Sequence, residues 1–177
     1  MTQLAAIEEL TPDALEAALP ELAGVLHACV HAGASIGFLL PFPLAEAVAF
    51  WRGVLPAVAA GERVMLVARL DGRIVGTASL LLVATPNGRH RAEVAKVMVH
   101  PEARRRGIAA ALMRGVEAAA RRHGRTLLLL DTTTGRDAER LYASLGYHLV
   151  AVLPGYALDP DGAMGPTSLM RKDLADA

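Results

Sequence analysis

The chain has 177 residues, of which 53% are apolar, and its Lys+Arg and Asp+Glu totals are both 18, giving a formal net charge of +0. That length and apolar content fit one domain with a sizeable core and exclude an intrinsically disordered chain. Balanced charge and an aromatic content of 4% argue against a nucleic-acid binder working by phosphate neutralisation or base stacking.

One cysteine, Cys29, excludes an internal disulfide and cannot alone build a Cys-based zinc site. The start, Met1 to Glu9, carries acids early and lacks a basic flank before an apolar run, so it does not read as a signal peptide. No stretch approaches ~18 uninterrupted apolar residues, so no membrane span is expected. The expectation is a cytoplasmic, single-domain α/β protein over residues 1–177, a monomer or homodimer.

Thr11, Pro12 and Asp13 open a helix as N-cap, first helical position and first-turn acid. It should run to about His31, with a bend at Pro20. Residues 33–43 read as a loop and 44–60 as a second helix. From Arg63 the period changes. The runs 64–70 and 74–83 are apolar and β-branched, joined by Asp71 and Gly72, a hairpin signal. Asn87 and Gly88 mark another turn before a strand over 91–99, making three consecutive antiparallel strands. Residues 107–122 show helical periodicity, with Ile108, Leu112, Val116 and Ala119 on one face. Leu127 to Leu130 reads as a strand buried on both faces, joined to 91–99 by a parallel crossover. A helix over 137–145 stops at Gly146, and 147–153 and 167–170 are the closing strands, with 153–166 as a long turn between them.

The segment Val97 to Leu112 carries the chemistry. A strand passes through a short loop into a helix that opens on Arg104, Arg105, Arg106 and Gly107, followed by Ile108, Ala109, Ala110 and Ala111. The first N–H groups of a helix lack partners, the macrodipole adds partial positive charge, and a glycine lets a ligand reach the backbone. A pyrophosphate fits such a turn; an exposed basic helix start is the plainer alternative. The turn is neither a Walker loop nor a dinucleotide fingerprint, because Gly-Lys-Ser/Thr and Gly-x-Gly-x-x-Gly are both absent.

Arg104-x-x-Gly107-x-Ala109 resembles the Arg/Gln-x-x-Gly-x-Gly/Ala signature of the GNAT N-acetyltransferases, and Tyr142-x-x-x-Gly146-Tyr147 resembles that family's Tyr-x-x-x-Gly-Phe/Tyr helix end. The order of elements agrees over most of the chain. The resemblance implies a mixed, mostly antiparallel α/β (α+β) sheet of about seven strands, with a parallel pair at the coenzyme cleft and about four flanking helices. It also implies acetyl-CoA as acetyl donor and no metal. The coenzyme pyrophosphate would sit on Arg104 to Ala110 and the pantetheine arm along the backbone of Val97, Met98 and Val99. Tyr142 would face the sulfur and protonate the departing thiolate, a thiol near pKa 8.5 against a phenol near 10. The pattern departs at Gly135, where many members carry a polar residue, often Asn, that bonds the coenzyme arm.

A narrower resemblance is carried by Gly33 to Phe38, Pro86 to Gly88, Arg91 to Glu93, Leu130 to Thr132, Leu153 to Tyr156 and Pro160 to Gly162. These look like the tabtoxin-resistance acetyltransferases, which are similar in length and acetylate the amine of an amino-acid-like β-lactam toxin. The implied acceptor is the amine of a small molecule.

An alkyl ammonium near pKa 10.4 leaves about one molecule in 10³ nucleophilic at neutral pH, so a positioned base is worth ~10² to 10⁴ in rate. Glu93 is one candidate. It lies on a strand expected to be mostly buried, on the face of Ala95, Val97 and Val99 unless a bulge intervenes, where desolvation would raise its pKa. A structural pairing with Lys96 or an arginine is the alternative. Asp131, at the carboxyl end of the buried strand, is the other candidate, with an Asx-type cap as its plainer role. Cys29 lies far from the coenzyme segment in sequence, so transfer should be direct. Ser35, Phe38, Phe42 and Tyr156 are candidate acceptor contacts in flanking loops. His27 and His31 have a chelating i, i+4 spacing but no carboxylate to complete a site, and the basic helix end Arg121, Arg122, His123 reads as a solvated face. Rival readings are acetylation of a peptide or protein amine, and a coenzyme-A-binding regulatory module without catalysis.

Overall fold

The computed structural model describes residues 5–174; the reading of Met1 to Leu4 lies outside them. Seven strands form one sheet in the order β1-β2-β3-β4-β5-β7-β6. They are β1 (Ala6–Glu9), β2 (Arg63–Leu70), β3 (Arg73–Leu82), β4 (Arg91–Val99), β5 (Leu127–Thr133), β6 (His148–Leu158) and β7 (Met164–Asp173). The helices are α1 (Pro12–Ala17), α2 (Leu19–His31), α3 (Leu44–Ala59), α4 (Ile108–Arg122) and α5 (Asp137–Ser144). All ladders are antiparallel except β4 with β5.

Two cores lie on opposite faces of the sheet. On one, Ile108, Leu112, Met113 and Val116 of α4 pack on Leu66, Leu80, Val94 and Leu128. Close approach of helix to sheet is possible because β3 offers Gly76: a Cβ there would stand 2.9 Å from the Met98 carbonyl oxygen and 3.1 Å from Leu112. On the other face, Leu15, Leu22, Leu26 and Trp51 of α1 to α3 cover Met65, Val67 and Met98. The fully buried Trp51 donates its indole N–H to the Leu22 carbonyl (3.0 Å), fastening α3 to α2. Lys172 joins the sheet to the first core's helices, pairing with Glu117 (2.7 Å) and donating to the Leu145 carbonyl (2.7 Å).

The structure corrects several boundaries. Thr11 caps α1, accepting from the Ala14 N–H (3.3 Å), but the expected single helix divides at Ala18. Pro20, in the first turn of α2, tolerates a new start better than a continuous helix. Strand β1 has no apolar run to announce it; Glu8 and Glu9 instead pair with Arg69 (2.9 Å) and Arg122 (2.5 Å). The expected long turn over 153–166 is mostly strand, since β6 and β7 extend to Leu158 and from Met164 and close at Asp159, which accepts from Gly162 and donates to Ala163. Among the described residues, no helix is long and apolar enough to cross a membrane.

Candidate active site

The site is where the sheet splits. β4 and β5 pair only over 91–93 and 127–129, and beyond those residues the strands diverge. The facing edges of Ala95 to Val99 and Leu130 to Thr133 are thereby left free of each other, at the mouth of a cleft of about 1310 Å³. Val97, Met98, Val99, Arg104, Arg105, Gly107, Ile108, Ala109 and Ala110 line it from the β4–α4 side. Asp131 and Tyr142 line the opposite side, and Ser35, Phe38 and Tyr156 lie at its rim.

The basic turn has the geometry of an anion cradle. Gly107 sits in the left-handed region (φ +75°) as N-cap of α4, with no side chain capping the helix, so the N–H groups of Ile108, Ala109 and Ala110 point outward. A Cβ on Gly107 would meet no protein atom within 4 Å, so the space above the turn is open for a ligand. Arg104 is anchored by its Nε–H to the Val99 carbonyl (3.2 Å), while Arg105 reaches Asp137 (3.9 Å) in an exposed pair of little energetic weight. Arg106 leaves the cleft and lines a separate shallow pocket with His100 and Ile74.

Glu93 and Asp131 part company. The β3–β4 register shifts between Thr77 and Ser79, and Lys96 has φ +53°, which marks a bulge in β4. Before the bulge Ala92 and Val94 belong to the α4 core; after it Val97 and Val99 pack there, while Met98 joins the opposite core. Glu93 is therefore on the face opposite Val97 and Val99, exposed, and outside the residues that line the cleft. The extra residue is the bulge for which the expected alternation made an exception: Glu93 keeps the face of Ala95 but loses that of Val97 and Val99. Asp131 lies on that same face of the sheet, since Leu128 and Leu130 point into the α4 core, but it stands at the cleft.

Tyr142 is 6% exposed and packs beside Tyr147, ring centroids 5.9 Å apart. Burial, with the Asp131 carboxylate nearby, pushes its phenol well above the ordinary value. The expected transfer assumed an ordinary phenol; the buried Tyr142 hydroxyl gives up its proton less readily than that. Beside it, Gly135 adopts φ +77°, and the Glu139 carboxylate bonds the Gly135 N–H and the Ser168 hydroxyl (2.7 Å), which in turn meets Thr134 (2.8 Å). These bonds, the backbone one first, hold Glu139 below the usual carboxylate range and pin the β5–α5 loop to β7.

Two residues at the cleft lay beyond the sequence reading. Cys29, distant in sequence, lines it and bonds the Val99 carbonyl. Lys96 lines it too, its Nζ donating to the Ile36 carbonyl (2.7 Å). Its signal was a charge three residues from Glu93, a spacing that shares a face only across a bulge. Phe42, by contrast, is core, its ring tilted against that of Phe38 with centroids 4.6 Å apart. His31 is engaged by the Phe42 carbonyl (3.0 Å).

Residues 37–147, more than half the chain and all of the split sheet's β2 to β5, match the acetyltransferase (GNAT) family. The chain belongs to that family. A curated relative, the uncharacterized N-acetyltransferase in the hisH-hisA intergenic region of Azospirillum brasilense, is 37% identical over 125 residues, 69% of this chain and 70% of its own. Among solved structures, yncA from Salmonella typhimurium with its cofactor acetyl-CoA has a TM-score of 0.78 at 20% identity, covering 99% of this chain and 96% of that one. The ribosomal-protein-alanine N-acetyltransferase of Brucella melitensis has a TM-score of 0.77 at 24% identity, covering 95% and 99%. At those identities the likeness is one of fold. Membership makes the protein a GNAT acyltransferase with the family's seven-stranded, mostly antiparallel sheet and one parallel pair.

Proposed function

We propose that this GNAT protein moves an acetyl group from acetyl-CoA directly to a primary amine of a small, amino-acid-like molecule, the tabtoxin type of β-lactam amino acid being one such acceptor. The observation that carries the reading is the divergence of β4 from β5 beside an uncapped, positive-φ helix start. Acetyl-CoA, when bound, supplies the activated acyl group as a thioester. The N–H groups of residues 108–110, with Arg104 and Arg105, hold its diphosphate. The free edge of β4 offers the Val97 backbone and the Val99 N–H to its arm in the manner of an added strand, the Met98 backbone being turned to β3 and the Val99 carbonyl being taken by Cys29 and Arg104.

Asp131 accepts the proton of the incoming amine, directly or through water, since it borders the cleft and Glu93 does not. The Tyr142 hydroxyl donates a hydrogen bond to the sulfur as negative charge develops there. Direct transfer is supported by the state of Cys29. It is near the site, but burial raises its thiol above the ordinary value and leaves it protonated, a poor acyl acceptor.

A small acceptor is favoured over a peptide by the rim. Ser35 donates to the Leu158 carbonyl (3.5 Å) and the Leu40 N–H to the Pro160 carbonyl (2.8 Å), so the α2–α3 loop and the β6–β7 hairpin bridge over that end of the cleft. The test is a thiol-release assay with acetyl-CoA and a panel of primary amines that includes β-lactam amino acids. Amine-dependent release is expected; binding of acetyl-CoA with no release for any amine would favour a regulatory module and overturn the proposal.

A further inference from the structure

Resting on the acetyl-transfer reading above, we infer that Lys96 determines acceptor specificity: its Nζ anchors an anionic group, a carboxylate or equivalent oxyanion, on a substrate whose amine faces Asp131. The lysine sits at the β4 bulge with φ +53°, a conformation rare for a residue with a Cβ and one that re-aims a side chain out of the strand's alternation. Its ammonium is fixed in place. It donates to the Ile36 carbonyl (2.7 Å) and lies 5.3 Å from the Phe38 ring centroid and 5.5 Å from that of Phe50. Gly37 packs so close that a Cβ there would stand 3.2 Å from Nζ.

An ammonium has three donors, and among the described residues the Ile36 carbonyl engages one of them. An apolar side chain would fill a partly buried, ring-lined slot without the desolvation that a charge costs there. Burial, and after it the like charge of Arg63, lowers the pKa of this ammonium, so an anion bound there would favour its charged form. Glu93 and Asp131 attract it, yet neither forms an ion pair with it among the described residues. Cation and carboxylate thus border one cleft without neutralising each other, and a zwitterion satisfies both. Because the cation is already immobilised by Ile36 and two rings, little side-chain freedom is lost on binding.

The experiment compares amines with and without a carboxylate: leucine with isopentylamine, phenylalanine with phenethylamine, lysine with cadaverine, each followed by thiol release from acetyl-CoA. The wild type should show the lower KM for the carboxylated member of a pair. Lys96→Met should raise that KM about 10- to 100-fold while moving the decarboxylated partner little, and Lys96→Arg should restore the preference. A preference for the decarboxylated member, equal losses on both members in Lys96→Met, or reaction only with amines outside the pairs would each overturn the inference. The wild-type comparison stands even if Lys96→Met does not fold. Absence of release from every amine would instead strike the acetyl-transfer reading.

Discussion

The Cys29 thiol donates a hydrogen bond of 3.4 Å to the Val99 carbonyl oxygen across 70 residues of sequence. The same oxygen accepts from Arg104 Nε at 3.2 Å, so α2 and the basic turn hold the end of β4 between them. A cysteine distant in sequence is thereby a packing element of the cleft wall. Because burial keeps its thiol protonated, it is expected to have no covalent role. Cys29→Ala should retain kcat within a small factor, at a stability cost of about 1 kcal/mol. Steady-state assays, together with intact-mass spectra free of acetylated enzyme, check this; a kcat loss of ~10²-fold would contradict it.

Asp131 and Glu93 share a face of the sheet but not the cleft, so their substitutions should separate. Asp131→Asn is expected to lower kcat by about 10² to 10⁴, the range for removing a positioned base, and Glu93→Gln to leave it nearly unchanged. Side-by-side rate measurements at neutral pH decide this. The opposite ranking would transfer the role to Glu93.

Tyr142 gives a mechanistic and a physical prediction. Replacement by Phe removes a donor to developing charge and should cost about 10- to 100-fold in kcat, with coenzyme binding retained. In the alkaline range, burial raises the phenols of both Tyr142 and Tyr147 above the ordinary value of 10. Unfolded tyrosines release their protons first, so the folded state loses stability as pH rises above 10. In a Tyr156→Phe background, where only those two tyrosines remain, tyrosinate absorbance should rise together with loss of far-UV circular dichroism. Ionisation with the dichroism intact would contradict the burial argument.

The sequence carried most of the sheet because its strands are continuous apolar runs punctuated by Asp71-Gly72 and Gly124. It carried the basic turn that opens α4 because Arg104, Gly107 and Ala109 lie within six consecutive residues. Strand β1 was hidden by its shortness and its glutamates, whose stabilising partners Arg69 and Arg122 come from far away. The extension of β6 and β7 was masked by Pro154, Gly155, Gly165 and Pro166, which read as turn residues; Gly165 pairs with Ala157, and the other three sit at an irregularity in the ladder. Two site residues were illegible for different reasons. Lys96 depends on where a one-residue bulge falls, a position that period-two alternation does not fix, and Cys29 on a contact between α2 and the end of β4.

The central claim is that the Gly107 turn holds the diphosphate of acetyl-CoA, and calorimetric titration of acetyl-CoA into wild type and Gly107→Ala tests it most directly. No protein atom crowds a Cβ at Gly107, so the variant's cost to folding should be limited to the left-handed backbone, ~1–2 kcal/mol. The account predicts saturable binding to the wild type in the micromolar-to-millimolar range and at least about tenfold weaker binding to a folded Gly107→Ala. No heat at millimolar acetyl-CoA, or equal affinity in the two proteins, would contradict it.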